Sequence, residues 1–167
     1  GECFDKIARK LNLGYPGGPE ISKRSELSNN NKFIFPRPMI KSNDYNFSFS
    51  GLKTHVINTI HKLELTNEHI NNISYEVQSA IVDTLISKSV EASKNLGIKN
   101  IVITGGVSAN QKLRKDFSCI KECKAYFPDV KFSTDNGAMI AYAGFLKTKS
   151  SDFKKNFTIK PEPSLTL

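Results

Sequence analysis

The stretch from residue 74 to residue 96 constrains this chain most. Val77, Ala80, Ile81, Leu85 and Ala92 recur at helical spacing, and Val82, Ile86 and Val90 widen the stripe. An apolar face that broad belongs to a helix buried on more than one side, so structure must flank it on both. The pattern ends near Gly97, where the character of the chain changes.

Before this helix the sequence predicts shorter, looser elements. Residues 2 to 11 place Phe4, Ile7, Ala8 and Leu11 on one helical stripe. Turn formers in NLGYPGGP stop that helix, and the polar residues 20 to 32 read as an exposed loop. Pro36 and Pro38 make FIFPRPMI extended. Alternating Tyr45, Phe47 and Phe49 mark an extended or strand-like segment across residues 43 to 54. A helix carrying Leu52, Val56, Ile60 and Leu63 follows, and Thr66 or Asn67 caps the next one.

After Gly97 come a strand in NIVITGG, a helix in SANQKLRKDF with Ser108 as a candidate cap, a strand in DVKFSTD and a small-residue helix in NGAMIAYAGFLKT. Strand, helix, strand, helix at this spacing indicates α/β layering with a parallel sheet. Two strands are few for a sheet that needs cover on both faces, so the chain is expected to be a fragment of a larger fold.

Ligands of open α/β sheets sit beyond the carboxyl ends of the strands. If the two strands are neighbours, Gly105, Gly106, Asn110 and Asp135 come to one edge. Glycines there let backbone N–H groups approach a phosphate, and a carboxylate suits a hard or borderline metal. The same residues serve equally as two ordinary turns with Ser108 and Asp135 as caps. GYPGGP is a second glycine turn, and by itself reads as a loop. SGLKT lacks the glycine spacing of a P-loop. His55, His61 and His69 lack metal-ligand spacing and read as surface or packing residues.

Composition narrows the setting. The formal net charge is +8, which favours a polyanionic partner such as RNA, and five lysines against Asp152 occupy the tail from Lys147 to Lys160. Three cysteines indicate a reducing compartment; Cys119 and Cys123 have no third ligand nearby, so a zinc site between them is not expected. No apolar run is long enough for a membrane span and no signal peptide opens the chain, so a cytoplasmic location without membrane contact is expected.

GECFDKIARKLNLGYPGGP, FPRPM, FSFSGLKT, GGVSAN followed by LR, and TDNGAMIA occur in this order. Together they resemble the C-terminal half of the tRNA threonylcarbamoyladenosine-forming transferases, once called O-sialoglycoprotein endopeptidases. The resemblance covers residues 1 to 146 as a C-terminal lobe, leaving 147 to 167 as a basic tail. It implies part of an actin/hexokinase/Hsp70-like (ASKHA) fold, α/β and helix-rich. The activity implied is transfer of a threonylcarbamoyl group from threonylcarbamoyl-AMP to N6 of adenosine 37, in tRNAs reading codons that begin with A.

By the same resemblance Asp5, Gly18 and Asn110 contact substrate, with Glu2 near the nucleotide and Gly105 and Gly106 lining the adenosine and phosphate region. Asp135 is implied as one ligand of a divalent metal, iron or else zinc, whose histidine ligands lie outside this chain. No residue here is assigned as catalytic, and the chain by itself is expected to be inactive. The implied partners are tRNA, threonylcarbamoyl-AMP, a paralogous subunit of the same fold and an ATPase subunit. The alternative is that the chain is itself a non-catalytic scaffold paralogue. A sugar kinase lacks a phosphoryl-accepting base here, and a peptidase lacks a nucleophile beside a histidine.

Overall fold

A computed structural model describes residues 1–28 and 32–149. The basic tail beyond Lys149 and the asparagine run at 29–31 lie outside the described residues. Two compact units divide the chain, Gly1–Thr134 and Asp135–Leu167.

The first unit holds α1 (Glu2–Lys10), α2 (Gly17–Ser25), α3 (Ser50–Ile60), α4 (Asn67–Leu96), β1 (Asn100–Val102), α5 (Gln111–Ser118) and β2 (Lys124–Tyr126). Helix α4, 30 residues long, is its axis and packs against α2, α3, α5 and β1. Thr66 caps its start, the hydroxyl accepting from the His69 N–H at 3.1 Å, and Gly97 closes its end at φ 66°. Glycine suits that left-handed position because no Cβ resists it.

The wide apolar face of α4 is divided between two cores. Ile73, Val77, Ala80 and Ile81 join Phe4 and Ile7 of α1, Leu11 just after it, Ile21 of α2, Phe35, and Leu52 and Val56 of α3. On the other side Val82 packs with Leu113 and Phe117 of α5, with Ile103, Ala125 and Phe127 around them. The sequence expectation of a helix buried on more than one side holds.

Strands β1 and β2 pair in parallel, with Ile101 opposite Ala125, and form a two-stranded sheet. The chain is therefore helix-rich α/β with a small parallel sheet. The second strand is not in DVKFSTD: Val130–Phe132 is a 3-10 turn, and the strand lies earlier, at Lys124–Tyr126. Both segments alternate, but Ala125 and Phe127 reach the α5 core whereas Val130 and Phe132 are exposed. Pro128 then ends the strand because it has no N–H for the ladder.

Residues expected in an exposed loop form α2 instead. Its one large apolar side chain, Ile21, is fully buried, and Gly17 and Ser25 are buried beside it. Pro19 is tolerated because it lies in the first turn, where N–H groups have no intrahelical partner. The 43–49 segment is irregular rather than a strand, and Ser50 already begins α3.

Buried polar groups of α4 tie the irregular segments down. Arg37 of FPRPM donates to Glu76 at 2.5 Å, to Asp83 at 2.7 Å and to the Phe35 carbonyl at 2.8 Å. Lys88, 1% exposed, donates to the Met39 carbonyl, the Ser42 hydroxyl and Asp44 at 3.0, 2.7 and 3.2 Å. Ser42 Oγ also donates to Asp44 at 2.9 Å, and this bond first, then those from Lys88 and the Asn46 N–H, hold the Asp44 carboxyl down at about 2.

In the second unit, α6 (Gly137–Thr148) is capped by Asn136, whose side chain accepts from the Met139 N–H at 3.0 Å. Met139, Ile140, Tyr142, Phe145 and Leu146 are exposed along it.

Four outcomes follow from these contacts. Arg37→Ala leaves the buried Glu76 carboxylate without its cation, and urea unfolding is expected to show a loss of about 3–5 kcal/mol. A Cβ at Gly17 would lie 2.6 Å from the Asp5 Cα and 2.7 Å from the Phe4 carbonyl oxygen, so Gly17→Ala should cost about 1–3 kcal/mol. Gly18→Ala meets nothing within 4 Å and should stay within about 0.5 kcal/mol in the same measurement. Because the folded Asp44 value lies below the unfolded 3.8, its contribution is complete above that value and disappears as pH falls toward 2. Asp44→Asn should flatten stability against pH across that window, read by thermal melts.

Candidate substrate-binding site

Two of the motifs fold onto each other. The chain leaves α1, reverses through Gly14, Tyr15 and Pro16, and starts α2 with Gly17 packed directly on the backbone of α1. Asp5, half-buried on α1, accepts the Gly17 N–H through Oδ1 at 2.7 Å. A carboxylate from one helix thus satisfies an N–H at the start of the next and meets the positive end of its dipole. The second Asp5 oxygen has no hydrogen bond among the described residues.

Gly18 stands beside this contact with open space where a side chain would be. The two glycines therefore differ in kind. Gly17 is required by the packing of α1 on α2, and Gly18 by nothing inside this chain. The resemblance names Gly18 for substrate and assigns nothing to Gly17, because the pattern G-G does not show which one faces a neighbouring helix.

Glu2 is exposed and shared between Lys53 and Lys6, each at 3.5 Å. Lys53 foremost, then Lys6, holds its carboxyl below the usual carboxylate range. Cys3 is buried, and burial pushes its thiol up to about 11, which leaves no thiolate for nucleophilic chemistry near neutral pH.

The glycine turn after β1 begins at Gly105, φ 85°, and continues as a 3-10 turn, Gly106–Ala109. Neither Gly105 nor Gly106 has a neighbour where a Cβ would project. Ser108 does not cap α5. It is fully buried, its hydroxyl has no hydrogen-bond partner among the described residues, and Asn110 is the cap instead.

The Asn110 oxygen accepts from the Leu113 N–H at 2.9 Å, and its nitrogen donates to Ser22 Oγ at 3.0 Å and Gln78 Oε1 at 2.8 Å. Gln78 in turn donates to Ser25 Oγ at 2.7 Å. Asn110 therefore joins the glycine turn to α2 and α4, with both amide hydrogens used within the protein.

Arg114, the arginine of the LR pair, also went unassigned in the sequence. Its Nε donates to the Ser108 carbonyl and one terminal nitrogen to the Pro128 carbonyl, both at 2.7 Å, while the guanidinium lies 5.0 Å from the centre of the Phe127 ring. It clamps the glycine turn to the segment following β2.

Asp135 is exposed and opens the second unit. Among the described residues no group of three or more His, Cys, Asp or Glu side chains could hold a metal ion. One exposed carboxylate does not fix a divalent cation, so the donors present do not make a metal centre. Cys119 follows α5 and is exposed, and Cys123 is buried before β2. No helix among the described residues is long and apolar enough to cross a membrane.

The model of the TsaD family, tRNA N6-adenosine threonylcarbamoyltransferase, matches residues 1–142. A curated protein of that name from Thermosipho africanus is 46% identical over 170 residues, covering 100% of this chain and 51% of that protein. The one from Ralstonia pickettii is 42% identical over 158 residues, 90% of this chain and 46% of that protein. The one from Sulfurihydrogenibium sp. is 46% identical over 151 residues, 89% and 44%. The chain spans about half the length of the curated relatives it matches. With its two interlocked motifs and this match across most of its length, the chain belongs to the tRNA N6-adenosine threonylcarbamoyltransferase family.

Proposed function

We propose that this chain supplies part of the substrate site for threonylcarbamoyl transfer from threonylcarbamoyl-AMP to N6 of adenosine 37 in tRNAs reading codons that begin with A. The observation that carries the reading is the junction of α1 and α2, where Asp5 holds the Gly17 N–H and Gly18 faces open space. A carboxylate with an oxygen to spare accepts hydrogen bonds from a ribose diol, and a bare backbone beside it lets the sugar come close. Gly105 and Gly106 offer a second approachable backbone for the adenosine and phosphate, and Glu2 lies at the margin.

An adenine amine is a weak nucleophile, so this chain's residues contribute by binding and orienting the two reactants rather than by proton transfer. Asp135 is assigned as one contact of a divalent metal, iron or zinc, with the remaining ligands on histidines outside this chain. The paralogous subunit of the same fold and the ATPase subunit are the proposed protein partners, and the cytoplasm the proposed location.

A second reading is favoured by one observation: both amide hydrogens of Asn110 are spent on Ser22 and Gln78. An asparagine committed to the protein's own structure fits a non-catalytic paralogue whose turn is kept for packing.

Calorimetric titration with a non-hydrolysable threonylcarbamoyl-adenylate analogue separates the two readings. Binding that falls about tenfold in Asp5→Asn supports the transfer reading, since one charge-assisted hydrogen bond contributes about 1.5–3 kcal/mol. Absence of binding, or equal binding by Asp5→Asn, favours the scaffold. With tRNA and the adenylate supplied, nucleoside analysis should find no threonylcarbamoyladenosine made by this chain unaided; turnover would refute its dependence on further metal ligands.

A further inference from the structure

We propose that the exposed face of α1, with Tyr15 beside it, is a docking surface for the phosphodiester backbone and an unstacked base of RNA. That the polyanion is RNA rests on the transfer reading above; the surface itself is read from the geometry.

Helix α1 has two unlike faces. Phe4, Ile7 and Ala8 are buried in the core, and the opposite face presents Asp5, Lys6, Arg9 and Lys10. These four line a cavity of about 600 Å³ together with Leu13 and Tyr15. Lys6 shares Glu2 with Lys53, whereas Arg9 and Lys10 form no ion pair among the described residues.

Some cations of the unit are matched, as in Lys23 with Glu20, Lys32 with Glu68 and Lys112 with Asp116, while Lys41, Lys62, Lys99, Lys115, Lys121 and Lys124 form no ion pair among the described residues either; what sets Arg9 and Lys10 apart is the cavity they share with Tyr15. Lys6 and Lys10 are four apart and Lys6 and Arg9 three apart, so the like charges repel along one face. The helix dipole favours cations in the last turn, which suits Arg9 and Lys10 but explains neither Lys6 nor the aromatic ring.

Tyr15 is 86% exposed. Cations that track a backbone, with an exposed aromatic ring on which a base stacks, are the combination that recognises unpaired RNA. Asp5 lines the same cavity. RNA tracking past Arg9 and Lys10 therefore brings its adenosine up to the adenylate that Asp5 is proposed to hold.

Fluorescence anisotropy with a labelled RNA stem-loop, carrying an adenosine in its loop, tests the surface on the full chain. The Arg9→Glu/Lys10→Glu variant should bind at least about tenfold more weakly, and the slope of log affinity against log salt should fall by about 1 for each cation removed. Tyr15→Ala should weaken binding about tenfold. Lys121→Glu/Lys124→Glu, equal in charge but placed before and on β2, should bind as the parent does.

Arg9→Gln/Lys10→Gln, checked by circular dichroism, stands in should the charge reversal disturb folding. No RNA binding by the parent chain, unchanged binding by the α1 variants, or equal loss in the β2 pair would each overturn the proposal. RNA binding that depends on Arg9 and Lys10, without adenylate binding that depends on Asp5, would keep the surface and remove the transfer reading. The converse would do the opposite.

Discussion

A helix buried on two sides must find partners for its largest polar side chains, and the rest of this structure follows from how α4 does so for Glu76, Gln78 and Lys88, even though Asn71 Oδ1, Asn72 Nδ2 and Ser74 Oγ have none among the described residues. Glu76, Gln78 and Lys88 are each at most 5% exposed on it. Taking such groups from water without partners would cost several kcal/mol apiece. Each finds its partners on a different segment: Glu76 on FPRPM, Gln78 on α2 and the Asn110 turn, Lys88 on the bend from Met39 to Asp44. The polar residues of one helix therefore fix α2 and three stretches that have little regular structure of their own.

The candidate site inherits its rigidity from this arrangement. The α1–α2 junction and the glycine turn after β1 are remote in sequence, yet both attach to Gln78 through Ser22, Ser25 and Asn110. Loops that carry ligands gain from such anchoring, because a backbone held in place needs no ordering when the ligand arrives. The glycines left without neighbours, Gly18, Gly105 and Gly106, are set among anchored residues rather than in slack chain. Asn110 illustrates how far this goes. A residue that the resemblance assigns to substrate is here the cap of α5 and the bond between α2 and α4.

Elements with one strong local signal were legible before any coordinates. Helix α4 declared itself through its broad stripe and its terminal glycine, and α1 and α3 through single faces. Where two segments carried equal local signals, the reading failed. KAYF and VKFS both alternate, and only the reach of Ala125 and Phe127 to Leu113 and Phe117 decided which became the strand. Helix α2 was missed because a single isoleucine is no stripe; its other inward positions are a glycine and a serine, whose burial makes sense only with α1 and Gln78 against them.

By itself the sequence determined the order of motifs, the basic balance and the parallel α/β pattern after Gly97. Apolar periodicity, glycine and proline act within a turn or two, so they are written locally. Tertiary structure alone decided that Gly17 serves packing while Gly18 stands free, that Asn110 rather than Ser108 caps α5, that Arg114 clamps two loops, and that Arg9, Lys10 and Tyr15 share one cavity. Each of these depends on which atoms from distant positions meet, and hydrogen bonds and close contacts act over a few ångströms in space, whatever the separation along the chain.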